Sequence, residues 1–260
     1  MNYQRNSKLF LLIFFSNNVD FTIGFSLGSL LPEIPKSKVD EVSQIIAQSL
    51  NGNLSEERRK VEVQEITSKY DNISNTYQKN QFVYGELSIP TLATLFDAVG
   101  VHENERFLDI GSGDGALVFA AALLYDETLV GMSRGVEIVP ELLERSKAYI
   151  MDFESDLKIK KRVEFYCGDI HDCENDSKLI SVVQDTSLAI CFATTWSRGN
   201  EGRRLPRLSE ALGMHIKKGA RVVIVDGKLT EKDGFSWAGD LRIHCPDTAP
   251  YSIASLYEKL

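Results

Sequence analysis

Three acids stand at matching places, each at or just beyond the end of a short apolar run. Asp109 lies in Arg106–Ile110, Glu137 lies in Gly135–Ile138, and Asp169 follows Val163–Cys167 through Gly168. A carboxylate in such a place can accept hydrogen bonds from an amine, from paired hydroxyls or from a ring amino group. Between Asp109 and the alanine- and leucine-rich run Ala116–Tyr125 come Gly111, Gly113 and Gly115, at alternate positions. Glycine at these positions permits a tight turn and lets the backbone touch a ligand. An acid two residues before the first glycine suits a ligand carrying a cationic amine, such as S-adenosylmethionine. It suits a pyrophosphate less, because the like charges repel.

The pattern Gly111-x-Gly113-x-x-Ala116 also meets the looser dinucleotide fingerprint. Glu137 on two ribose hydroxyls fits either cofactor, so an NAD-dependent oxidoreductase is an alternative. In the leading reading Asp109 faces the amine, Glu137 the ribose, and Asp169 with Ile170 the adenine.

The elements that must place these residues follow from periodicity. Arg106–Ile110, Gly135–Ile138, Val163–Cys167, Leu188–Phe192 and Arg221–Asp226 read as strands, and Ala116–Tyr125, Pro140–Phe153 and Leu205–Ile216 read as helices. Such alternation predicts a parallel sheet with ligands at the strand ends. Upstream, Val39, Val42, Ile45 and Ile46 have helical spacing, and Asn51-Gly52-Asn53 ends that helix. A charged helix from about Ser55 to Tyr70 has Val61, Val63 and Ile66 as apolar anchors and is expected to cap the cofactor domain or hold the acceptor. Ser88 can cap a third helix that carries Pro90 in its first turn. Phe235–Trp237, Leu241–Cys245 and Ile253–Tyr257 are candidate strands in the tail.

In chain order, Phe82-Val83-Tyr84-Gly85-Glu86, the loop Asp109-Ile110-Gly111-Ser112-Gly113-Asp114-Gly115, Gly135-Val136-Glu137 and Cys167-Gly168-Asp169 resemble the disruptor-of-telomeric-silencing family of histone lysine methyltransferases. The resemblance spans roughly Tyr70 to Asp226. It implies an α/β class I methyltransferase (Rossmann-like) fold: a mostly parallel sheet with helices on both faces, a terminal antiparallel strand pair and, here, a helical N-terminal extension. It also implies S-adenosylmethionine as cofactor and a lid of Tyr84, Gly85 and Glu86 over its methionine end, with Glu86 near the amino group. The glycine loop and the later acids are shared by many class I methyltransferases; the Tyr-Gly-Glu segment is more specific.

After the fourth strand the family carries two asparagines followed by aromatics. This chain has Cys191-Phe192-Ala193-Thr194-Thr195-Trp196. Tyr84, Thr194, Thr195 and Trp196 are therefore the residues expected to border the methyl acceptor. The acceptor implied by the resemblance is a protein lysine, histone-type. A non-histone protein, a small molecule or a cofactor-binding module without turnover are alternatives.

Composition fits one enzyme domain with an extension. At 260 residues and 43% hydrophobic, the chain can bury a core without disulfides. A net charge of -8 argues against an extended nucleic-acid interface, so a nucleosome partner draws no support from charge. The basic groups Arg58-Arg59-Lys60, Lys158 to Arg162 without Ile159, and Arg203-Arg204 with Arg207 read as solvated faces. The last group, close to Trp196, is the one to test against an acidic partner. Cys167 and Cys191 read as buried thiols, and Cys167, His171 and Cys173 make a poor zinc set; no metal is expected. His102, His215 and His244 are isolated.

Arg5 and Lys8 precede the apolar run Leu9–Phe15, which meets the minimum for a targeting segment. Asn17, Asn18 and Asp20 interrupt Leu9–Leu31 as a membrane span. The expected division is 1–35 as a targeting segment or loosely packed arm, 36–80 as a helical extension and 81–260 as the cofactor domain. The expected compartment is cytoplasmic or nuclear, or an organelle or the secretory route if Leu9–Phe15 is a targeting segment.

Overall fold

The computed structural model describes residues 21–23, 33–52, 54–73, 85–125, 130–152, 159, 161–194, 196, 202–245 and 249–260. Tyr84, Thr195 and the Leu9–Phe15 run lie outside them.

The strands are β1 (Phe21–Ile23), β2 (Glu105–Ile110), β3 (Val130–Glu137), β4 (Val163–Cys167), β5 (Leu188–Phe192), β6 (Arg221–Val225), β7 (Phe235–Cys245) and β8 (Ala249–Lys259). The helices are α1 (Lys36–Asn51), α2 (Glu56–Ile73), α3 (Ile89–Val99), α4 (Ala116–Leu124), α5 (Pro140–Asp152), α6 (Ser177–Asp185) and α7 (Pro206–His215). The strands form one sheet in the order β1-β7-β8-β6-β5-β2-β3-β4. From β4 to β6 neighbours are parallel; β8 is antiparallel to β6, and β7 to β8. Setting β1 aside, this is the expected fold: a mixed seven-stranded sheet, order 3-2-1-4-5-7-6, with its antiparallel pair at the C-terminus.

The parallel strands are apolar runs because both faces are covered. Alternate residues go to opposite sides: Phe107, Leu188 and Ile190 join α1, α3 and α4, whereas Leu108, Ala189 and Cys191 join α6 and α7. Ser88 accepts the Thr91 amide at 3.3 Å and caps α3.

The tail differs from expectation in length. Instead of three short strands it forms two of 11 residues each, because β7 continues through Gly239 and Asp240 with a shift in register between Trp237 and Gly239. The pairing with β8 carries the strand through a glycine that reads in sequence as a break. Phe21–Ile23 also pairs with β7, within the stretch read as a targeting segment or arm. No helix among the described residues is long and apolar enough to cross a membrane.

Candidate active site

β2 ends at Ile110, and the chain turns through Gly111–Gly115 into α4. Gly111 and Gly115 adopt φ of +79° and +93°, a region L side chains rarely enter. A Cβ at Gly111 would stand 3.2 Å from the Trp196 indole, and one at Gly115 would stand 2.6 Å from the Phe165 ring. The turn is tied to β3: the amides of Gly111 and Ser112 donate to Val136 O at 2.8 and 3.1 Å.

Glu137 closes β3 and is buried. Its Oε2 accepts the Gly113 amide at 2.8 Å and its Oε1 accepts the Val139 amide at 2.9 Å. Each carboxylate oxygen has about two lone-pair directions, so the geometry leaves acceptor capacity for hydroxyls. Burial raises the Glu137 carboxyl, while the amides of Val139 and Gly113 pull it back. Asp109 is only 4% exposed, and among the described residues no cation lies within ion-pair distance. Burial first, and the Glu137 charge second, push its carboxyl up to about 8. A buried acid in that state is matched by an ammonium from a ligand. With the glycine cradle, this pair of acceptors fits the amino-acid and ribose portions of S-adenosylmethionine.

Asp169 begins the 3-10 turn Ile170–Asn175 and accepts the His171 amide at 2.9 Å, with His171 Nδ1 at 3.1 Å from the same oxygen. Ile170 is buried in the core on the α6–α7 side. Trp196, expected at the acceptor, lies over Gly111, with its ring 5.2 Å from that of His171. The structure thus brings Trp196 towards the Asp169 side of the glycine turn.

Glu86, expected near the amino group, is held by a guanidinium. Arg59 Nη2 donates to both of its oxygens at 2.6 Å, and Arg59 Nη1 donates to Asp114 Oδ2 at 2.7 Å. Arg59 is buried, contrary to its reading as part of a solvated basic face. It lies on the inner stripe of α2 with Val63, Ile66 and Tyr70, and Val63 packs against Val139 and Leu142. Arg162 departs from that reading too, because its guanidinium donates to Ala122 O, Tyr125 O and Val130 O. Cys167 is exposed rather than buried. Among the described residues no His, Cys, Asp and Glu cluster could hold a metal ion.

Beyond β5, Thr194 Oγ1 donates to Asp226 Oδ2 at 3.0 Å. Asp226 has φ +58° and also accepts Ser252 Oγ at 2.8 Å and the Ile253 amide at 3.1 Å. Its backbone conformation is one a non-glycine residue holds only when its surroundings fix it.

The strand order, the glycine turn and the acids at three successive strand ends define a class I methyltransferase. The chain belongs to the family described as histone methylation protein DOT1, whose model matches residues 54–183, from the start of α2 into α6. That family is S-adenosylmethionine-dependent, which removes the NAD alternative. Among solved structures, the chain is similar to TrmN from Thermus thermophilus, at 12% identity and TM-score 0.45 over 65% of this chain and 48% of that one. It therefore spans about half of TrmN. It is also similar to the candidate RNA methyltransferase PH1948 from Pyrococcus horikoshii, at 13% identity and TM-score 0.49 over 78% of this chain and 96% of that one. YjhP from E. coli gives 19% identity and TM-score 0.38 over 62% and 54%. No curated protein matches the sequence.

Sequence reasoning gave no role to Arg59, Asp114, His171 or Asp226. Arg59 carried a usable signal: Val63, Ile66 and Tyr70 follow it at 4, 7 and 11 residues, the spacing of a buried helix stripe. Asp226 carried none, since its conformation and partners depend on β8.

Proposed function

We propose that this protein transfers a methyl group from S-adenosylmethionine to the side-chain amine of a protein lysine. The observation that carries this reading is the histone-methylation family match over α2, the Gly85-Glu86 segment and β2 to β4. Asp109 and Glu86 hold the methionine ammonium, Glu137 the ribose hydroxyls, and Asp169 with Ile170 the adenine. Gly111, Gly113 and Gly115 let the backbone approach the ligand, under a lid of Tyr84, Gly85 and Glu86. Tyr84, Thr194, Thr195 and Trp196 border the acceptor.

The cofactor supplies a methyl group on a sulfonium, open to in-line attack by a neutral amine. The protein's work is then alignment and exclusion of water, which needs few titratable groups at the acceptor. Thr194, turned onto Asp226, sets one wall there.

A second reading, a non-histone protein or small molecule as acceptor, is supported by the run Cys191–Trp196, which holds no asparagine where the family has two. Tritiated S-adenosylmethionine incubated with histone octamers, nucleosomes and cell lysate, followed by amino-acid analysis, separates the readings. Label in N-methyl-lysine of the histones supports the first. Label from lysate alone, in a non-histone protein or a small molecule, supports the second. No transfer to any of them would contradict turnover.

A further inference from the structure

Helix α2 lies along the acid-lined edge of the sheet. Near its start Arg59 pairs with Asp114 at 2.7 Å and with Glu86 at 2.6 Å. One turn on, Val63 packs on Val139, whose amide Glu137 accepts. Two turns further, Tyr70 has its hydroxyl raised by burial and by the nearby charges of Cys167, Asp169 and Glu137. Arg59 and Tyr70 are about 16 Å apart along the axis. One end of α2 therefore meets Glu86, assigned to the methionine end, and the other comes near Glu137 and Asp169, assigned to ribose and adenine. Glu62 holds the helix to α5 through Arg145 at 3.4 Å.

A guanidinium binds carboxylates through paired, coplanar N–H groups. The amino-acid end of the cofactor carries an ammonium and a carboxylate on one carbon. Glu86 suits the first, and Arg59, already gripping Glu86, suits the second.

We propose that Arg59 recognises the α-carboxylate of the cofactor's amino-acid end, so that α2, already packed on the site, is held there more tightly when that end is present. This rests on the S-adenosylmethionine reading. The ligand ammonium takes up Glu86, the ligand carboxylate takes the place of Glu86 on Nη2, and Asp114 keeps the guanidinium on the glycine turn. Arg59 is a binding residue supplied by the N-terminal helices, and α2 is the element that senses it.

S-adenosylhomocysteine and 5′-methylthioadenosine share adenosine and sulfur and differ in the amino-acid end. Calorimetric titration of the full chain should show S-adenosylhomocysteine losing about ten- to a hundredfold in affinity in Arg59→Met, the worth of one or two charged hydrogen bonds, while methylthioadenosine changes by less than about threefold. Arg59→Lys should fall between. Equal losses for both ligands would make Arg59 a structural brace and overturn the proposal. Binding of neither ligand to the wild type would overturn the cofactor reading itself. If the variants fail to fold, amide exchange on the wild type decides. S-adenosylhomocysteine should slow exchange across α2 and methylthioadenosine should not; equal protection by both would overturn the proposal.

Discussion

The Glu137 carboxylate accepts the Gly113 amide at 2.8 Å, so the acid that closes β3 also fixes the turn that follows β2. The same side chain holds the Val139 amide at the start of α5. The residue proposed to hold the ribose thus also orders the turn and the start of α5. Reversing its charge must also strand two buried amides.

Glu137→Gln keeps the shape but replaces one acceptor oxygen with a donor. It should cost about 1–3 kcal/mol of stability and weaken S-adenosylhomocysteine at least about tenfold. Glu137→Lys should lower the melting temperature further. Thermal melts beside titrations read both effects; a variant of wild-type stability and affinity would remove Glu137 from the site.

Asp109 should make the stability depend on pH. Its folded carboxyl is raised from 3.8 to about 8 by burial and then by Glu137. The folded state therefore binds the extra proton, and this contribution is full below the unfolded value and is lost as pH rises through about 8. Stability should fall between about pH 4 and pH 8, and Asp109→Asn should flatten that slope. A cationic amine beside Asp109 favours the ionised form, so ligand binding should release a proton at neutral pH. Calorimetry in buffers of different ionisation heat measures that release.

Gly111→Ala puts a methyl group 3.2 Å from the Trp196 indole, at φ +79°. It should shift the Trp196 emission and weaken cofactor binding, with Trp237→Phe as the background that isolates the signal. Trp196→Ala should weaken S-adenosylhomocysteine as well, because its ring lies over the glycine turn. Unchanged affinity in Trp196→Ala would confine the indole to the acceptor side.

Asp226→Ala removes the acceptor for Thr194, Ser252 and the Ile253 amide. It should destabilise by about 2–4 kcal/mol. Asp226→Asn tolerates the positive φ and keeps one oxygen, so it should cost less. If Asp226 serves the acceptor wall, Asp226→Asn should slow methyl transfer while leaving S-adenosylhomocysteine affinity unchanged.

The sheet and its glycine turn were legible because buried parallel strands are plain apolar runs, and because alternate glycines between a strand and a helix mark a nucleotide-binding turn. Arg59 was obscured by Arg58 and Lys60, its exposed and partly exposed neighbours. Only the stripe it shares with Val63 marks it as buried. The length of β7 was hidden by Gly239, which β8 holds in the strand. The place of Trp196 over Gly111 depends on how β5 leaves the sheet, which no local pattern encodes.

The most direct test of this account is a crystal structure with S-adenosylhomocysteine. The ribose hydroxyls should lie within hydrogen-bond distance of Glu137, the adenine amine at Asp169 and the amino-acid end at Glu86 and Asp109, over Gly111–Gly115. A ligand bound elsewhere, or bound along this edge with its amino-acid end turned toward Asp169, would contradict it.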